Sequence, residues 1–154
     1  MIEFTNSWNE RIYNLIYHVM EFSDNTYSWS GKTVMVVEDN ETSNIYFEAA
    51  LRKTNANLVW AKNGLDAIEM VKENNQVDLI LMDINMPKLD GIEATRIIKN
   101  LYPEIIIVVQ TAFILSGEER MCQDAGCDEF ITKPIRLKYL LDTLNRYLAT
   151  QIKA

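Results

Sequence analysis

The run Val77-Asp78-Leu79-Ile80-Leu81-Met82, followed directly by Asp83, is the stretch of sequence that decides the fold. Its apolar residues are nearly continuous instead of alternating with polar ones, which is typical of a strand buried on both faces of a parallel sheet. Four further short apolar runs lie on either side of it along the chain: Val34–Val37, Leu58–Ala61, Ile105–Val109 and Phe130–Ile131.

Each of the five runs is followed by apolar residues at helical spacing. The last helix shows the pattern most clearly, with Leu137, Leu140, Leu141, Leu144 and Leu148. Strands that alternate with helices predict an α/β fold with a parallel sheet and right-handed crossovers. For five such units the common doubly wound order is the flavodoxin-like 2-1-3-4-5.

Residues 1–31 differ from this repeating body and are interpreted as an N-terminal extension, with the main domain spanning 32–154. Ser7 and Glu10 fit a capping box, and apolar residues at helical spacing behind them predict an amphipathic helix near 8–22, followed by a linker. His18 in this helix is interpreted as a structural or surface histidine in preference to a phosphotransfer residue.

Composition excludes several classes of protein. The 154 residues are 48% apolar, enough for a packed core, and the net charge of −7 argues against direct nucleic-acid binding. With neither an apolar run long enough to cross a membrane nor a basic leader, we expect a cytoplasmic protein without membrane association. Cys122 and Cys127 do not form a zinc-binding motif and are expected to be reduced thiols.

Polar residues follow the apolar runs at the carboxyl end of the predicted sheet, where ligands bind in open α/β folds. Glu38 and Asp39 follow the first run, Asp83 the third, Thr111 the fourth and Lys133 the fifth. In the order 2-1-3-4-5 the first and third strands are neighbours, so the three carboxylates would crowd together. Like charges at that distance raise one another's pKa, and an all-oxygen site of this kind is best suited to Mg²⁺.

A carboxylate beside Mg²⁺, a lysine and a threonine is suited to phosphoryl transfer. Asp83 would attack in line and become an aspartyl phosphate, while Lys133 and Thr111 would stabilise the phosphoryl oxygens. A single aspartate or lysine at a strand end is usually a helix cap or a solvated charge. The functional interpretation depends on all of these residues falling at the same end of the sheet.

The motifs around these residues resemble the receiver domains of response regulators. They are Val36-Val37-Glu38-Asp39-Asn40, Leu81-Met82-Asp83-Ile84-Asn85-Met86-Pro87, Asp90-Gly91, Gln110-Thr111-Ala112, Ala125-Gly126-Cys127-Asp128-Glu129-Phe130 and Lys133-Pro134. The resemblance covers about residues 32–150, and the sequence around Asp83 and Thr111 is most similar to receivers attached to hybrid histidine kinases.

The resemblance implies a role for each matching residue. Glu38, Asp39, Asp83 and the backbone carbonyl of Asn85 would hold the metal, Asp83 would accept phosphate, and Thr111 and Lys133 would bind the phosphoryl group. Thr111 and Phe130 would form the switch that reports phosphorylation, by packing alone because Phe130 stands where tyrosine is common. The Lys133–Pro134 bond would be cis.

The resemblance also implies the partners. A histidine kinase or a histidine phosphotransfer protein would supply the phosphoryl group, and the domain would catalyse only its own phosphorylation and slow dephosphorylation. A homodimer could form through the face of the fourth helix, fifth strand and fifth helix, or through the N-terminal helix. The apolar stripe of that helix could equally dock on the receiver or continue a preceding domain.

Two other families use part of this chemistry. A haloacid-dehalogenase-type phosphatase needs a second aspartate two residues after its nucleophile as general acid, and Asn85 occupies that position. A flavodoxin-like flavin mononucleotide binder needs a phosphate-binding loop after the first strand, where Glu38-Asp39 would repel phosphate. A degenerate receiver, which binds partners without being phosphorylated, is excluded by the complete set of site residues unless the site does not bind metal.

Overall fold

The computed structural model describes residues 10–12, 14, 27–74, 76–112 and 117–149. The strands in this part are β1 (Thr33–Val37), β2 (Asn57–Ala61), β3 (Leu79–Asp83), β4 (Ile106–Thr111) and β5 (Glu129–Thr132). The α-helices are α1 (Glu41–Leu51), α2 (Gly64–Glu73), α3 (Gly91–Leu101), α4 (Glu118–Asp124) and α5 (Leu137–Leu148), and a 3₁₀ turn, Arg52–Thr54, follows α1.

The sheet has the order β2-β1-β3-β4-β5, which confirms the predicted topology. All neighbouring strands are parallel, and Leu81 at the centre pairs with Val36 on one side and Val108 on the other. All five residues of β3 are buried. The continuous apolar run of the sequence is therefore explained by a strand with neighbours on both edges and helices on both faces.

Side chains on the two faces of the sheet form two separate apolar clusters. One contains residues of α2, α3 and α4, including Val71, Ile98 and Cys122. The other contains residues of α1 and α5, including Phe47 and Leu144. The helices are therefore divided between the faces, as the doubly wound fold requires.

Three helices begin with side-chain caps that fix their positions directly after strands or loops at the carboxyl edge. Asn40 accepts from the Ser43 N–H at the start of α1, and Asn63 accepts from the Asp66 N–H at the start of α2. Asp90 accepts from the N–H groups of Ile92 and Glu93 in α3, both at 2.9 Å. Such caps satisfy backbone donors that the helix itself leaves free.

The folded domain also includes residues that precede Lys32. Trp29 is only 2% exposed and lies in the apolar cluster of α1 and α5. Its indole N–H donates to Asn145 Oδ1 in α5 at 2.9 Å, and its backbone N–H donates to the Thr54 carbonyl at 2.6 Å. The boundary at residue 31 stays a prediction, but Trp29 packs as part of the five-stranded domain.

The N-terminal helix proposed over 8–22 falls mostly outside the described residues, as does His18. Within that stretch, residues 10–12 and Asn14 are helical. The roles suggested for this helix in dimerisation or docking stay predictions. Among the helices of the described residues, none is long and apolar enough to span a membrane.

Helix α4 ends in a Schellman motif that brings the two cysteines to the same turn. The Cys127 N–H donates to the Cys122 carbonyl at 3.1 Å and the Gly126 N–H to the Gln123 carbonyl at 2.9 Å, with Gly126 at φ +93°. Positive φ is why glycine is favoured here. Both thiols are free, and Cys122 is buried.

Candidate phosphoacceptor site

The predicted site residues come together at the carboxyl edge of the sheet. Asp83 and Thr111 are the last residues of β3 and β4, so these strands extend one and two residues past the apolar runs that end at Met82 and Val109. Backbone pairing also continues past the strands, because the Ile84 N–H donates to the Gln110 carbonyl at 3.1 Å. The Lys133 N–H donates to the Thr111 carbonyl at 2.7 Å. The edge that carries the predicted site residues is therefore held by backbone hydrogen bonds.

Glu38, Asp39 and Asp83 form an acidic cluster in which one oxygen from each lies within 4.8 Å of the others. Glu38 and Asp83 are only 2% and 4% exposed, whereas Asp39 is exposed. The Asn40 N–H donates to Glu38 Oε1 at 3.1 Å, and the Asn85 N–H donates to Asp83 Oδ1 at 3.4 Å. After β1 and β3 the backbone thus turns back towards Glu38, the residue that follows β1, and towards Asp83, the last residue of β3.

Burial makes the charged form of both enclosed carboxylates unfavourable. It raises the pKa of Glu38 above its ordinary value, and the nearby charge of Asp83 raises it further. Burial likewise raises the pKa of Asp83, while Lys133 and the Asn85 N–H act in the opposite direction. Removal from water therefore outweighs the local favourable contacts at both carboxyl groups.

Lys133 supplies a cation to this cluster from the loop after β5. Its Nζ lies 3.2 Å from Glu38 Oε2 and 3.5 Å from Asp83 Oδ1. The Lys133–Pro134 peptide bond is cis, as expected from the sequence resemblance. The amine thus bridges the two buried carboxylates, and it lies where it could also contact a group attached to Asp83.

The structure explains why glycine follows Asp90 in the Asp90-Gly91 pair of the sequence. A Cβ atom built at Gly91 would lie 2.0 Å from the carbonyl oxygen of Asp83, far inside van der Waals contact. The Gly91 N–H also donates to the Ile84 carbonyl at 3.0 Å. The start of α3 therefore packs directly against the backbone of the proposed phosphoacceptor, and only glycine fits there.

Thr111 is fully buried, and its hydroxyl donates to Glu118 Oε2 at 3.4 Å. Phe130 on β5 pairs with Val109 on β4, two residues before Thr111. Its side chain packs against the apolar cluster that contains Val109. Thr111 therefore lies beside the start of α4, and Phe130 packs against the apolar cluster that contains Cys122 of the same helix. Sequence reasoning missed Glu118, because no motif marks it and no residue pattern places the first residue of α4 beside the end of β4.

The donor set fits a hard divalent cation. Three carboxylate oxygens, two of them from residues almost fully removed from water, lie close enough to share one ion. Oxygen ligands at this spacing suit Mg²⁺, which keeps several waters in its shell and uses few protein carboxylates. The raised pKa values of Glu38 and Asp83 have the same origin, namely negative charge enclosed without sufficient compensation.

Comparison with known proteins identifies the family. Residues 34–145 match the family model of the response regulator receiver domain. The polar-differentiation response regulator DivK of Brucella anthropi is 34% identical over 119 residues, which cover 76% of this chain and 96% of that protein.

Solved structures of other receivers are similar as well. One comes from the co-crystal structure of the Saccharomyces cerevisiae histidine phosphotransfer signaling protein Ypd1 with the receiver domain of its downstream response regulator Ssk1. It is 30% identical, with a TM-score of 0.73, and the match covers 79% of this chain and 92% of that chain. Another is the receiver domain of the sensor histidine kinase PA1611 of Pseudomonas aeruginosa PAO1, with a magnesium ion coordinated in its active site cleft. It is 31% identical, with a TM-score of 0.71, over 78% of this chain and 99% of that chain. With its family model matched over most of the chain and its sheet in the same order, this chain belongs to the response regulator receiver domain family of two-component systems.

Proposed function

We propose that Asp83 is the phosphoacceptor and that it takes a phosphoryl group from a phosphohistidine in the presence of Mg²⁺. The observation that carries the proposal is the placement of Asp83. Its carboxylate lies 3.5 Å from Lys133 Nζ and shares a cluster with Glu38 and Asp39 at the end of the central strand. An acidic nucleophile, an ammonium group and a cation-binding set are the components that phosphoryl transfer requires.

In the reaction, an Asp83 carboxylate oxygen forms a bond to phosphorus as the bond from phosphorus to the histidine nitrogen breaks. The imidazole leaves, and the product is an acyl phosphate on Asp83. Lys133 exchanges part of its contact with Glu38 and Asp83 for the new phosphoryl oxygens, and the Thr111 hydroxyl donates to another of them. Lys133 and Thr111 would stabilise the negative charge on the phosphoryl oxygens in the transition state, and this stabilisation accelerates the reaction.

Glu38, Asp39, Asp83 and the backbone carbonyl of Asn85 would hold the metal, with Glu38 acting through a water molecule. When bound, Mg²⁺ supplies positive charge that neutralises phosphoryl oxygens and the crowded carboxylates. Glu38 is held by the Asn40 N–H and by Lys133, so it is already oriented before a metal arrives.

The donor we propose is a histidine kinase or a histidine phosphotransfer protein, supported by the similarity to the receiver found in complex with Ypd1. The domain would catalyse only its own phosphorylation and slow dephosphorylation, in the cytoplasm. Phosphorylation would shift the packing of Thr111 and Phe130. The face of α4, β5 and α5 would then change its affinity for a partner, which could be a second copy of the chain.

A labelling experiment tests the assignment of Asp83. Incubation with acetyl phosphate and Mg²⁺ should add one phosphoryl group to the wild-type chain, located at Asp83 by mass spectrometry. Asp83→Asn keeps the shape but removes the nucleophile, and it should abolish labelling. Asp124→Asn, which changes an exposed carboxylate on α4, should be labelled like wild type.

Two results would contradict the proposal. Undiminished labelling of Asp83→Asn would place the phosphoacceptor elsewhere. Repeated turnover of para-nitrophenyl phosphate would indicate a phosphatase in place of a receiver.

A further inference from the structure

We infer that Glu118 is a positioning residue that opposes phosphorylation by holding the hydroxyl of Thr111. The inference rests on the proposed function of Asp83 and Thr111. It adds that Glu118 favours the unphosphorylated state of the site. The observation behind it is the hydrogen bond from Thr111 Oγ1 to Glu118 Oε2, at 3.4 Å.

The contact brings an acidic side chain to the phosphoryl-binding hydroxyl. Glu118 is the first residue of α4 and is half-buried, and Thr111 is fully buried at the end of β4. Gly117, with φ +107°, lets the backbone enter α4 so that Glu118 lies next to the strand end. Within the described residues, Glu118 forms no ion pair that would neutralise it.

A threonine hydroxyl has one hydrogen to donate. When that hydrogen points to Glu118 it is not available to a phosphoryl oxygen, so the two acceptors compete for it. Hydrogen bonds to charged acceptors are stronger than those to neutral ones. At 3.4 Å this bond is longer than the usual ~2.5–3.0 Å of an O–H···O bond, and it is correspondingly weak. Binding of the phosphoryl group therefore has to displace a charged acceptor from Thr111.

The negative charge of Glu118 also opposes phosphorylation, as does its competition with the phosphoryl group for the Thr111 hydroxyl. A phosphoryl group between Asp83 and Thr111 would bring further negative charge towards a site that already has Glu38, Asp39 and Asp83 on its other side. Among the described residues, Lys133 forms ion pairs with Glu38 and Asp83 and not with Glu118. We therefore expect the α4 end to move away from Thr111 in the phosphorylated state, which couples the site to the proposed output face.

Beryllofluoride, which mimics the phosphoryl group on the aspartate, tests the inference by titration in Mg²⁺. Glu118→Gln should bind it roughly three- to tenfold more tightly than wild type, because a neutral amide oxygen accepts from Thr111 more weakly than a carboxylate does. Glu119→Gln is the matched control, because it removes the same charge from the next residue, which is exposed. It should change the affinity by less than about twofold.

A double-variant cycle distinguishes the hydroxyl contact from a general charge effect. In a Thr111→Ala background, Glu118→Gln should have no more effect than Glu119→Gln, because the group it acts through is gone. Methyl NMR gives a second readout. Without beryllofluoride, Glu118→Gln should shift the Thr111 methyl signal towards its bound position, and Glu119→Gln should leave it in place.

Each contrary outcome has a distinct meaning. Wild-type affinity in Glu118→Gln, or equal tightening in Glu119→Gln, would overturn the role of Glu118 while leaving Asp83 as the phosphoacceptor. The full effect of Glu118→Gln in Thr111→Ala would overturn the action through the hydroxyl. Failure of wild type and every variant to bind beryllofluoride would overturn the proposed function together with this inference.

Discussion

Lys133 illustrates how single residues at this site combine stability with function. Its amine bonds to Glu38 and Asp83, two carboxylates that burial makes costly to ionise. The lysine side chain is itself 27% exposed, so part of the interaction is weakened by solvent. It therefore reduces the repulsion within the cluster without neutralising it, and leaves room for a cation.

Replacement of Lys133 should destabilise the metal-free protein. Lys133→Met leaves both carboxylates without their cation, and we expect the free energy of unfolding to fall by about 1–2 kcal/mol at neutral pH. Urea unfolding in EDTA measures this loss, and Mg²⁺ should reduce it. Lys138→Met, which breaks an exposed pair with Asp142 on α5, should cost at most about 0.5 kcal/mol. Equal losses in the two variants would contradict this account.

Gly91 is a second position where a single residue affects the site, because there is no space for a Cβ atom there. In Gly91→Ala the new Cβ meets the Asp83 carbonyl oxygen at 2.0 Å, so the backbone at the phosphoacceptor must move. We expect a loss of about 2–4 kcal/mol in unfolding free energy, with weaker Mg²⁺ binding. Gly31→Ala is the control, because its Cβ would meet nothing within 4 Å and only its positive φ is unfavourable. Its cost should be about 1 kcal/mol, without change in Mg²⁺ affinity. Similar behaviour of the two variants in calorimetry and metal titration would refute the steric explanation.

At the level of elements, the segment before β1 contributes more than a linker would. Trp29 joins α1 and α5 through the apolar cluster and donates to Asn145, a residue 116 positions later in the chain. Tyr27 beside it donates to Asp142 on the same helix. Helix α5 is therefore fixed in part by residues that lie just before β1.

Variants of Trp29 measure this contribution. Trp29→Ala should lower the free energy of unfolding by about 3–5 kcal/mol, because a large buried side chain is lost. Trp29→Phe retains most of the apolar area but loses the hydrogen bond, and should cost about 1–2 kcal/mol. Trp60→Ala on the edge strand β2 is the control, since that ring is 36% exposed, and a much smaller loss is expected. A Trp29→Ala variant as stable as Trp60→Ala would show that the segment is not part of the folded body.

These elements also indicate how far sequence reasoning reaches. The strand order and the acidic, hydroxyl and amine positions could be predicted, because they follow from apolar runs and from the residues that end them. Trp29 could not, since its neighbours show no periodic pattern and its partner lies on a distant helix. Glu118 could not either, because it lies outside every motif and its contact with Thr111 joins two elements that no residue pattern brings together.

At the level of the whole molecule, the enclosed carboxylates should make stability depend on pH. The pKa values of Glu38 and Asp83 are raised in the folded protein, whereas in the unfolded chain both groups titrate near their ordinary values of about 4. Above that pH the folded state retains protons that the unfolded state has lost. Stability is therefore greatest below the ordinary values and decreases as pH rises towards the raised ones.

We expect the free energy of unfolding of the metal-free protein to fall with pH in this window. Each group contributes up to about 1.4 kcal/mol per pH unit. Saturating Mg²⁺ should flatten the decrease, and Asp83→Asn should remove part of it, whereas Asp124→Asn should leave it unchanged. Urea titrations at several pH values provide the measurement. A metal-free protein that became steadily more stable across this range would contradict the electrostatic account.

The spread of the site along the chain has a consequence for biosynthesis. Lys133 and Glu38 are in contact although they are 95 residues apart in sequence, and Asp83 lies between them. During translation, a ribosome-bound chain that ended before β5 would contain the acidic residues but not the amine. A nascent or cleaved chain that lacks β5 and Lys133 would therefore be a poor substrate for a phosphodonor, so such fragments would add little spurious signal to the pathway.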